Sequence, residues 1–225
     1  MNRDELRTRP TALPPRIFES GDHRVLYPSE PTGGTWIAVN DTGVCLALLN
    51  WHRINRLPLG DVISRGEVVR ALVESDSIEE ISARLKSLML DRIRPFRLIV
   101  CVPRRSLIAE YGWNLKELKG QNHDWNPHHW FSSGYDEKQA EFERAQVCQV
   151  AWRQPSAGSL EWLRDLHCSH LPERGPFSIC MHETRAETVS YTEVNVTNAS
   201  VTMRYQPGSP CGRARIYDET LAMGT

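Results

Sequence analysis

The 225-residue sequence lacks an apolar run of the length that a membrane-spanning helix needs, and it carries almost no net charge. A helix that crosses a bilayer requires about 20 consecutive apolar residues, so the sequence predicts no membrane span. The formal net charge of −1 at pH 7 gives no electrostatic attraction to nucleic acid or to an anionic membrane surface. We therefore expect no nucleic-acid partner, and the sequence leaves the oligomeric state unknown.

Cysteine pairs of the CxxC type are also lacking among the six cysteines, and no secretory signal peptide is visible at the start. Cys45, Cys101 and Cys180 lie inside apolar, strand-like runs. This pattern favours reduced thiols, several of them buried, in a cytoplasmic protein. Histidines with the spacing of a known metal site are lacking as well, so the sequence predicts no metal ion.

What the sequence does contain is two segments, 35–51 and 96–113, that each predict a β-hairpin. In the first segment, Asp41 and Gly43 lie in a turn between two apolar arms, and both residue types tolerate the backbone geometry of a tight turn. One arm of each hairpin is apolar on both faces, which indicates a strand that is covered on both sides.

Four helices are predicted from the helical spacing of apolar residues, at about 64–75, 77–90, 136–150 and 159–167. The first two begin with the pattern Ser-x-x-Glu, which predicts a capping box at each N-terminus. The residues of these two boxes are Ser64 with Glu67 and Ser77 with Glu80.

The segments outside these elements are less regular. Several prolines in the first thirty residues predict an irregular start. Three further strands are predicted at 177–182, 188–196 and 200–206, and residues 207–225 are expected to form a loose tail. Because the strands come in hairpins and alternate with groups of helices, the expected class is α+β, with mostly antiparallel sheets inside and helices outside.

A set of short motifs resembles the NRDE family, the group that includes the transport-and-Golgi-organisation type-two protein. The motifs occur in the family's order over most of the chain: NRDE near the start, then GGTW, ALLNW, SRGE, WFSSGYDE and TVSYTEV. The resemblance implies a fold similar to that of the N-terminal-nucleophile hydrolases, a four-layer αββα sandwich. We expect one such domain over residues 1–206, followed by the loose tail.

In the family, the NRDE motif follows a first strand that begins with Met and Cys. We therefore expect that this chain starts at an internal methionine and lacks that strand. N-terminal-nucleophile chemistry needs a Cys, Ser or Thr as the first residue, with the free amine as its base. Since neither Met1 nor Asn2 can attack an amide carbonyl, we expect no amidase activity from the chain as given.

The resemblance marks two candidate catalytic residues at the start. In related hydrolases an acidic residue after the first strand orients the terminal amine, and a nearby arginine contacts the substrate. Asp4 matches the first role by position, and Arg3 matches the second more loosely. The alternative is a structural ion pair between Arg3 and Asp4. Asn50, at the end of a buried strand, is a third candidate, either as a donor to an oxyanion or as a strand-end cap.

Six residues are candidates for binding a ligand. Gly34 has no side chain, so another group can approach the backbone closely there and form the wall of a site, with Trp36 packed beneath it. The alternative for Gly34 is a plain turn at the entry of a strand. Trp51 lies at the end of a buried strand. The other three candidates are Ser132, Ser133 and His182. The two serines precede a helix, and the backbone N–H groups at a helix N-terminus favour anions and carbonyl oxygens. The alternative is that Ser133 or Asp136 simply caps the helix. His182 is either a core histidine or part of a pocket.

Three functions are consistent with these residues. The first is a non-catalytic protein that binds a small apolar ligand between two sheets, with haem or lipid handling implied by the resemblance alone. The second is a cysteine-dependent hydrolase of amide or acyl bonds, whose nucleophile lies upstream of Met1. The third is a structural or interaction module. The sequence does not identify the ligand or the substrate.

Overall fold

Strands make up most of the regular structure in residues 1–224, the part of the chain that this computed structural model describes. The strands are β1 (Asn2–Leu6), β2 (Leu13–Ser20), β3 (His23–Ser29), β4 (Ile37–Asn40), β5 (Cys45–Asn50), β6 (Phe96–Val102), β7 (Leu107–Trp113), β8 (Leu118–His123), β9 (Ala186–Val196), β10 (Ser200–Pro207) and β11 (Tyr217–Ala222). The helices are α1 (Gly66–Leu72), α2 (Ile78–Ser87), α3 (Glu137–Ala151) and α4 (Leu160–Cys168). Strands β2 to β8 form a seven-stranded sheet in chain order, and the second sheet has the order β1-β9-β10-β11.

The described residues divide into two compact units. The first unit contains Met1–Thr11, His128–Glu193 and Arg204–Tyr217, and the second contains Ala12–Pro127, Val194–Met203 and residues 218–224. The expectation of a single domain over residues 1–206 stays a prediction.

The two hairpins predicted from the sequence are present in the second unit, as β4–β5 and β6–β7. Asn40 fixes the first turn, because its side-chain oxygen accepts hydrogen bonds from the backbone N–H groups of Thr42 and Val44. Its side-chain nitrogen donates to the carbonyl oxygens of Val73 and Ser75, just beyond α1. The turn is therefore attached to the helix layer as well as to the sheet.

Helices α1 and α2 cover one face of the seven-stranded sheet. Their buried residues, among them Val69, Leu72 and Leu85, pack with strand residues such as Leu46 and Phe96. Burial of this kind stabilises the fold by roughly 25 cal/mol per Å² of apolar surface. The helices are thus held on the sheet by their apolar faces.

The opposite face of the same sheet packs against parts of β10 and β11. Leu26 and Val39 contact Val201, Met203 and Leu221, all of them fully buried. The second unit therefore contains a helix layer, a sheet and a second sheet layer in succession.

In the first unit, helices α3 and α4 pack together through Cys148, Ala151, Trp162 and Leu166. Helix α4 is joined to β9 by a two-point ion pair between Arg164 and Glu193, with N–O distances of 2.7 and 2.8 Å. The helices of this unit therefore cover its sheet strands. The fold is α+β with mostly antiparallel sheets.

The start of the chain is more regular than the sequence predicts, because β1, β2 and β3 all lie within the first thirty residues. Pro14 and Pro15 are accommodated where the pairing of β2 with β3 is irregular, between Leu13 and Arg16. Strand β2 is also an edge strand, and an edge or a bulge is where a strand tolerates proline. The prediction of an irregular start is wrong for this reason.

The end of the chain also differs from the prediction. Residues 217–222 form β11 and not a loose tail, because Leu221 is buried against Met203 and Val201. The predicted strand at 177–182 is absent from the described structure. There the backbone N–H groups bond to loop and side-chain partners, as in Cys180 N–H to the Ser169 carbonyl at 2.8 Å.

The two predicted capping boxes have different outcomes. The Ser77 hydroxyl accepts a hydrogen bond from the Glu80 N–H at 3.2 Å, as expected for the start of α2. At α1, the N-cap is Arg65 and has no side-chain cap. The Ser64 hydroxyl accepts from the Gly66 N–H at 3.3 Å, and the Glu67 N–H donates to the Ser64 carbonyl, not to the hydroxyl. No helix within residues 1–224 combines the length and the apolar character needed to cross a membrane.

Candidate functional site

Strand β1 places Asp4 opposite Thr188 of β9, at a point where the pairing of the two strands is irregular. One carboxylate oxygen of Asp4 accepts a hydrogen bond from the Thr188 hydroxyl at 2.6 Å. The Thr188 oxygen in turn accepts from the backbone N–H of Met181 at 2.8 Å. Asp4 is therefore tied to β9 and to the loop that precedes it.

The other carboxylate oxygen of Asp4 forms an ion pair with Arg144 of α3, at 3.1 Å. The Arg144 side chain is only 6% exposed and also donates to the carbonyl oxygens of Ser132 and Pro176, each at 3.4 Å. Hydrogen bonds between ionised groups, such as this guanidinium and carboxylate, are stronger than those between neutral groups. This network, Asp4 with Arg144 and Thr188, joins β1, α3 and β9, and we call it the Asp4 network.

The Asp4 network changes the interpretation of Arg3 and Ser132, two residues that the sequence predicts as site residues. The ion pair of Asp4 is formed with Arg144, whereas Arg3 lies 3.6 Å from the Glu5 carboxylate. Ser132 belongs to the network, but through its backbone carbonyl. Arg144 is thus the site residue that sequence reasoning missed, because nothing local to α3 marks an inward-facing arginine.

The other residues before α3 cap the helix. Asp136 is the N-cap, and its carboxylate accepts from the Gln139 N–H at 3.0 Å, as one of the two expected alternatives. The Ser133 hydroxyl accepts from the Tyr135 N–H at 3.2 Å and so shapes the preceding turn. The proposed anion-binding role of Ser133 stays a prediction.

The remaining candidates of the second unit lie near strand ends. Gly34 ends a turn in which its carbonyl accepts from the Glu30 N–H at 2.8 Å, and Trp36 is buried just after it. Asn50 pairs with Phe96 at the end of β5. The Trp51 ring lies against Gly112 of β7, where an added Cβ would be 3.0 Å from it. The catalytic and ligand-binding roles expected for these residues stay predictions.

His182 belongs to a cluster in the first unit that the sequence did not predict. The side chains of His170, Cys180, His182 and Cys211 place one ligand atom each within 4.8 Å of one another. Burial raises the pKa of the Cys180 thiol to about 12. Burial and the nearby Arg174 lower the pKa of His182. Cys211 lies 29 residues beyond His182, and the other three do not follow the spacing of a known metal motif, so the sequence gave no signal for the cluster.

A cavity of about 530 Å³ lies in the second unit, on the face of the seven-stranded sheet that α1 and α2 cover. We call it the helix-side groove. The rings of Phe18 and Tyr27 stack at its wall with centroids 4.5 Å apart. The apolar side chains that line it are Phe18, Tyr27, Ile63, Val68, Ala71, Val73, Leu88, Met89 and Ile93. The helix-side groove is on the other face from the packed residues around Val39 and Met203, and the ligand pocket expected between the two sheets stays a prediction.

Two of the three carboxylates that line the helix-side groove, Glu67 and Glu74, are paired, and the third is the exposed Glu19. Glu74 accepts hydrogen bonds from Ser20 and from Arg84, and these two partners lower its pKa. Glu67 lies 3.5 Å from Arg70. The groove therefore offers an apolar wall with largely neutralised polar edges. None of the ligand-binding candidates predicted from the sequence lies among its lining residues.

Two solved structures that resemble this chain have the N-terminal-nucleophile hydrolase fold. A mutant conjugated bile acid hydrolase from Clostridium perfringens is 10% identical, with a TM-score of 0.53, and the match covers 100% of this chain and 92% of that one. Penicillin V acylase from Agrobacterium tumefaciens is 11% identical, with a TM-score of 0.51, and the match covers 96% of this chain and 80% of that one. At such low identity the likeness concerns the fold alone.

Comparison with curated protein sequences produced no match. The sequence profile of the family described as "TANGO2: Transport and Golgi organisation 2" matches residues 1–154. This range contains the NRDE motif, both hairpins of the seven-stranded sheet and all of α3. Together with the hydrolase-like fold, the match over more than half of the sequence places this chain in the Transport and Golgi organisation 2 family.

Proposed function

We propose that this protein binds a small apolar molecule in the helix-side groove and does not act as an enzyme in the form of these 225 residues. The observation that carries the proposal is the groove itself, with a volume of about 530 Å³ and a wall of aromatic and aliphatic side chains. Ligand pockets have volumes of roughly 300–1,000 Å³ and are lined mainly by such residues.

The chemistry of the groove favours a neutral ligand. Two of its lining carboxylates, Glu67 and Glu74, are each paired with an arginine, so neither leaves an isolated charge for a ligand to neutralise. The exposed thioether of Met89 lies at the wall and gives an adaptable apolar contact. A lipid-like or terpene-like molecule without strong charge matches this lining.

Haem, which the family resemblance implies, does not fit this groove. Haem iron takes an axial ligand from His, Cys, Met or Tyr. No histidine or cysteine of residues 1–224 lines the groove, and the Tyr27 ring is buried and stacked on Phe18. This leaves the Met89 thioether as the one axial ligand that the described groove offers, whereas a strongly bound haem iron usually has a His, Cys or Tyr ligand. We expect no spectral change when haem is titrated into the protein.

Binding of Nile red, a neutral apolar dye, tests the proposal. We expect its fluorescence to rise and to saturate with this protein. Ala71 is exposed and lines the groove, so Ala71→Trp should fill the space and weaken dye binding about tenfold, or about 1.4 kcal/mol. Ala83→Trp, on the exposed surface of α2, is the matched control. Equal affinities in the two variants would contradict binding in this groove.

The alternative function is a cysteine-dependent hydrolase of amide or acyl bonds, with its nucleophile carried by a segment before Met1. It is favoured by the hydrolase fold of the similar structures and by the position of Asp4 on β1. Against it, both oxygens of Asp4 already bond to Thr188 and Arg144. Turnover of an amide substrate by a chain extended with the segment before Met1, lost when the cysteine of that segment is changed to Ala, would support the hydrolase; absence of turnover in that extended chain would count against it.

A cytoplasmic location is part of the proposal. All six cysteines are free thiols in the structure of residues 1–224. Disulfides are rare in the cytosol and common in secreted proteins, so free thiols support this location. Microscopy of a fluorescently tagged chain, with a membrane or lumenal pattern as the contrary result, checks it.

A further inference from the structure

Four side chains in the first unit meet at one point although they come from three separate segments. His170 follows α4, Cys180 and His182 lie in the loop before β9, and Cys211 lies in the loop between β10 and β11. The two histidines approach through their Nε2 atoms, which are 3.2 Å apart. The sulfur atoms of Cys180 and Cys211 each lie 3.5 Å from the Nε2 atom of His182.

These distances match those between the ligands of a tetrahedral zinc ion. With zinc–sulfur bonds of about 2.3 Å and zinc–nitrogen bonds of about 2.0–2.1 Å, two nitrogens lie about 3.3 Å apart, and a nitrogen and a sulfur about 3.5 Å apart. The observed separations are 3.2 Å and 3.5 Å. Packing alone does not require that four metal-binding atoms converge at these separations.

The loops that carry the four residues are held by their own hydrogen bonds. The backbone N–H of Cys180 donates to the Ser169 carbonyl at 2.8 Å, and that of His182 donates to the Gly175 carbonyl at 3.1 Å. Near Cys211, the Gln206 side chain donates to the carbonyl oxygens of Pro210 and Gly212. The ligand atoms are therefore positioned in advance by the backbone, as a metal site requires.

The ligand types define the metal class. Two thiolates and two neutral imidazoles give a complex with Zn²⁺ that has no net charge, so it can lie in partly buried surroundings. Sulfur and imidazole ligands select zinc over magnesium or calcium, which prefer oxygen. Because the protein supplies all four ligands, no position is left for a substrate, which is the pattern of a structural site.

From this geometry we propose that His170, Cys180, His182 and Cys211 form a structural Zn²⁺ site. On binding, the two thiols lose their protons to solvent and the two imidazoles coordinate through Nε2 in the neutral form. The ion joins the loop after α4, the loop before β9 and the loop before β11. The competing use of the same residues is a disulfide between Cys180 and Cys211.

The first test measures metal in the intact protein, purified without a polyhistidine tag under reducing conditions. We expect one zinc per chain by elemental analysis. We also expect cobalt substitution to give the visible bands of a tetrahedral site together with sulfur-to-cobalt charge transfer. Less than half an equivalent of zinc after incubation with excess Zn²⁺, or an octahedral cobalt spectrum, would overturn the proposal. So would a Cys180–Cys211 disulfide in protein that is freshly prepared with its thiols protected.

The second test uses variants and a chromophoric zinc chelator as competitor. Cys211 is exposed, so Cys211→Ser should leave the folded chain largely intact. We expect it to weaken zinc binding by at least about 100-fold, since even outer-shell changes cost 10- to 100-fold. Cys168 lies nearby, but its sulfur points to the Pro210 carbonyl, so Cys168→Ser is the matched control. Equal losses in the two variants would contradict the assignment.

Discussion

At the scale of single residues, the Asp4 network shows why one inward-facing arginine matters. Arg144 bonds to Asp4, Ser132 and Pro176, and its removal leaves the Asp4 carboxylate with the Thr188 hydroxyl alone. Breaking a buried ion pair from one side is costlier than replacing both partners, because a lone buried charge loses its hydration without compensation.

We expect Arg144→Met to lower the free energy of unfolding by about 3 kcal/mol. The double variant Asp4→Leu with Arg144→Met should recover part of that loss. Urea denaturation of the two variants and the wild type measures both effects. Arg70→Met, which removes an exposed ion pair with Glu67, is the control and should lose far less. A double variant less stable than Arg144→Met alone would count against this account of the pair.

Gly66 is a second position at which a single added atom, the Cβ of any other residue, should lower stability. A Cβ there would lie 2.8 Å from the Thr35 nitrogen and 2.9 Å from the Gly34 Cα. Both are backbone atoms, so α1 could not remain at its distance from the segment before β4. Gly34 faces Gly66 in this contact, and its predicted role in ligand binding stays a prediction.

We therefore expect Gly66→Ala to destabilise the protein by about 1–3 kcal/mol through overpacking. Gly175→Ala is the control, because a Cβ at Gly175 meets nothing within 4 Å. Thermal unfolding followed by circular dichroism compares the two variants. If both variants melted together with the wild type, the close approach of α1 would not be needed for stability.

At the scale of elements, the turn between β4 and β5 is joined to β3 by a titratable pair. His23 lies 2.9 Å from the Asp41 carboxylate. Partial burial disfavours the charged histidine, but the hydrogen bond that His23 donates to Asp41 and the charges of Asp76 and Asp41 outweigh it and raise the pKa of His23. Burial likewise opposes ionisation of Asp41, yet the bonds from His23 and Arg24 lower the pKa of Asp41.

The signs of these shifts set a pH window. A raised histidine pKa gives stability that is fully present below about pH 6.5 and is lost as pH rises through the folded-state pKa. A lowered aspartate pKa gives stability that is present above about pH 4 and is lost as pH falls through the folded-state pKa. We expect His23→Gln to lower the melting temperature most near pH 5–6 and less above pH 8. In an Asp41→Asn background the same change should show a smaller pH dependence, carried by Asp76, which lies 3.5 Å from His23. An effect of His23→Gln that stays constant with pH in the wild-type background would contradict the account.

The sequence predicts a helix or strand correctly where the residues that indicate it lie within that same segment of the chain. The β4–β5 and β6–β7 hairpins and the four helices were predicted, because apolar periodicity and turn residues lie within each segment. The edge strands β2 and β8 were missed, since an edge strand tolerates prolines and polar residues that a buried strand excludes. The strand β11 was missed because only its contacts with residues distant in the chain reveal it.

The same division applies to the candidate sites. Asp4 was predicted from the family motif, but its partner Arg144 was not, since α3 looks like an ordinary polar helix in sequence. His182 was singled out alone, whereas His170 and Cys211 come from other loops that the fold brings to Cys180 and His182. The helix-side groove is formed by side chains of β2, β3 and α1, and no local pattern indicates a cavity.

At the scale of the whole molecule, the proposed zinc site and the Asp4 network are joined by one residue. Met181 lies between the two ligands Cys180 and His182, and its N–H donates to the Thr188 hydroxyl that bonds Asp4. A metal ion that fixes the loop before β9 would therefore also fix this donor. We expect a chelator to lower the melting temperature of the wild type by more than that of Arg144→Met. The reason is that the loop shared by the two sites is already loosened in the variant. Strictly additive shifts would indicate that the sites are independent.

The end of the chain provides the clearest test of the layered core. Leu221 is fully buried in β11 and packs on Val201 and Met203 within the second unit, although composition alone indicates a loose tail. If β11 is part of the core, Leu221→Ala leaves a cavity and should lower the free energy of unfolding by about 2–5 kcal/mol. Thr220→Ala, at the exposed neighbouring position, should change it by less than about 0.5 kcal/mol. Urea denaturation of both variants distinguishes a packed strand from a dispensable tail, because a tail would make the two substitutions equally harmless.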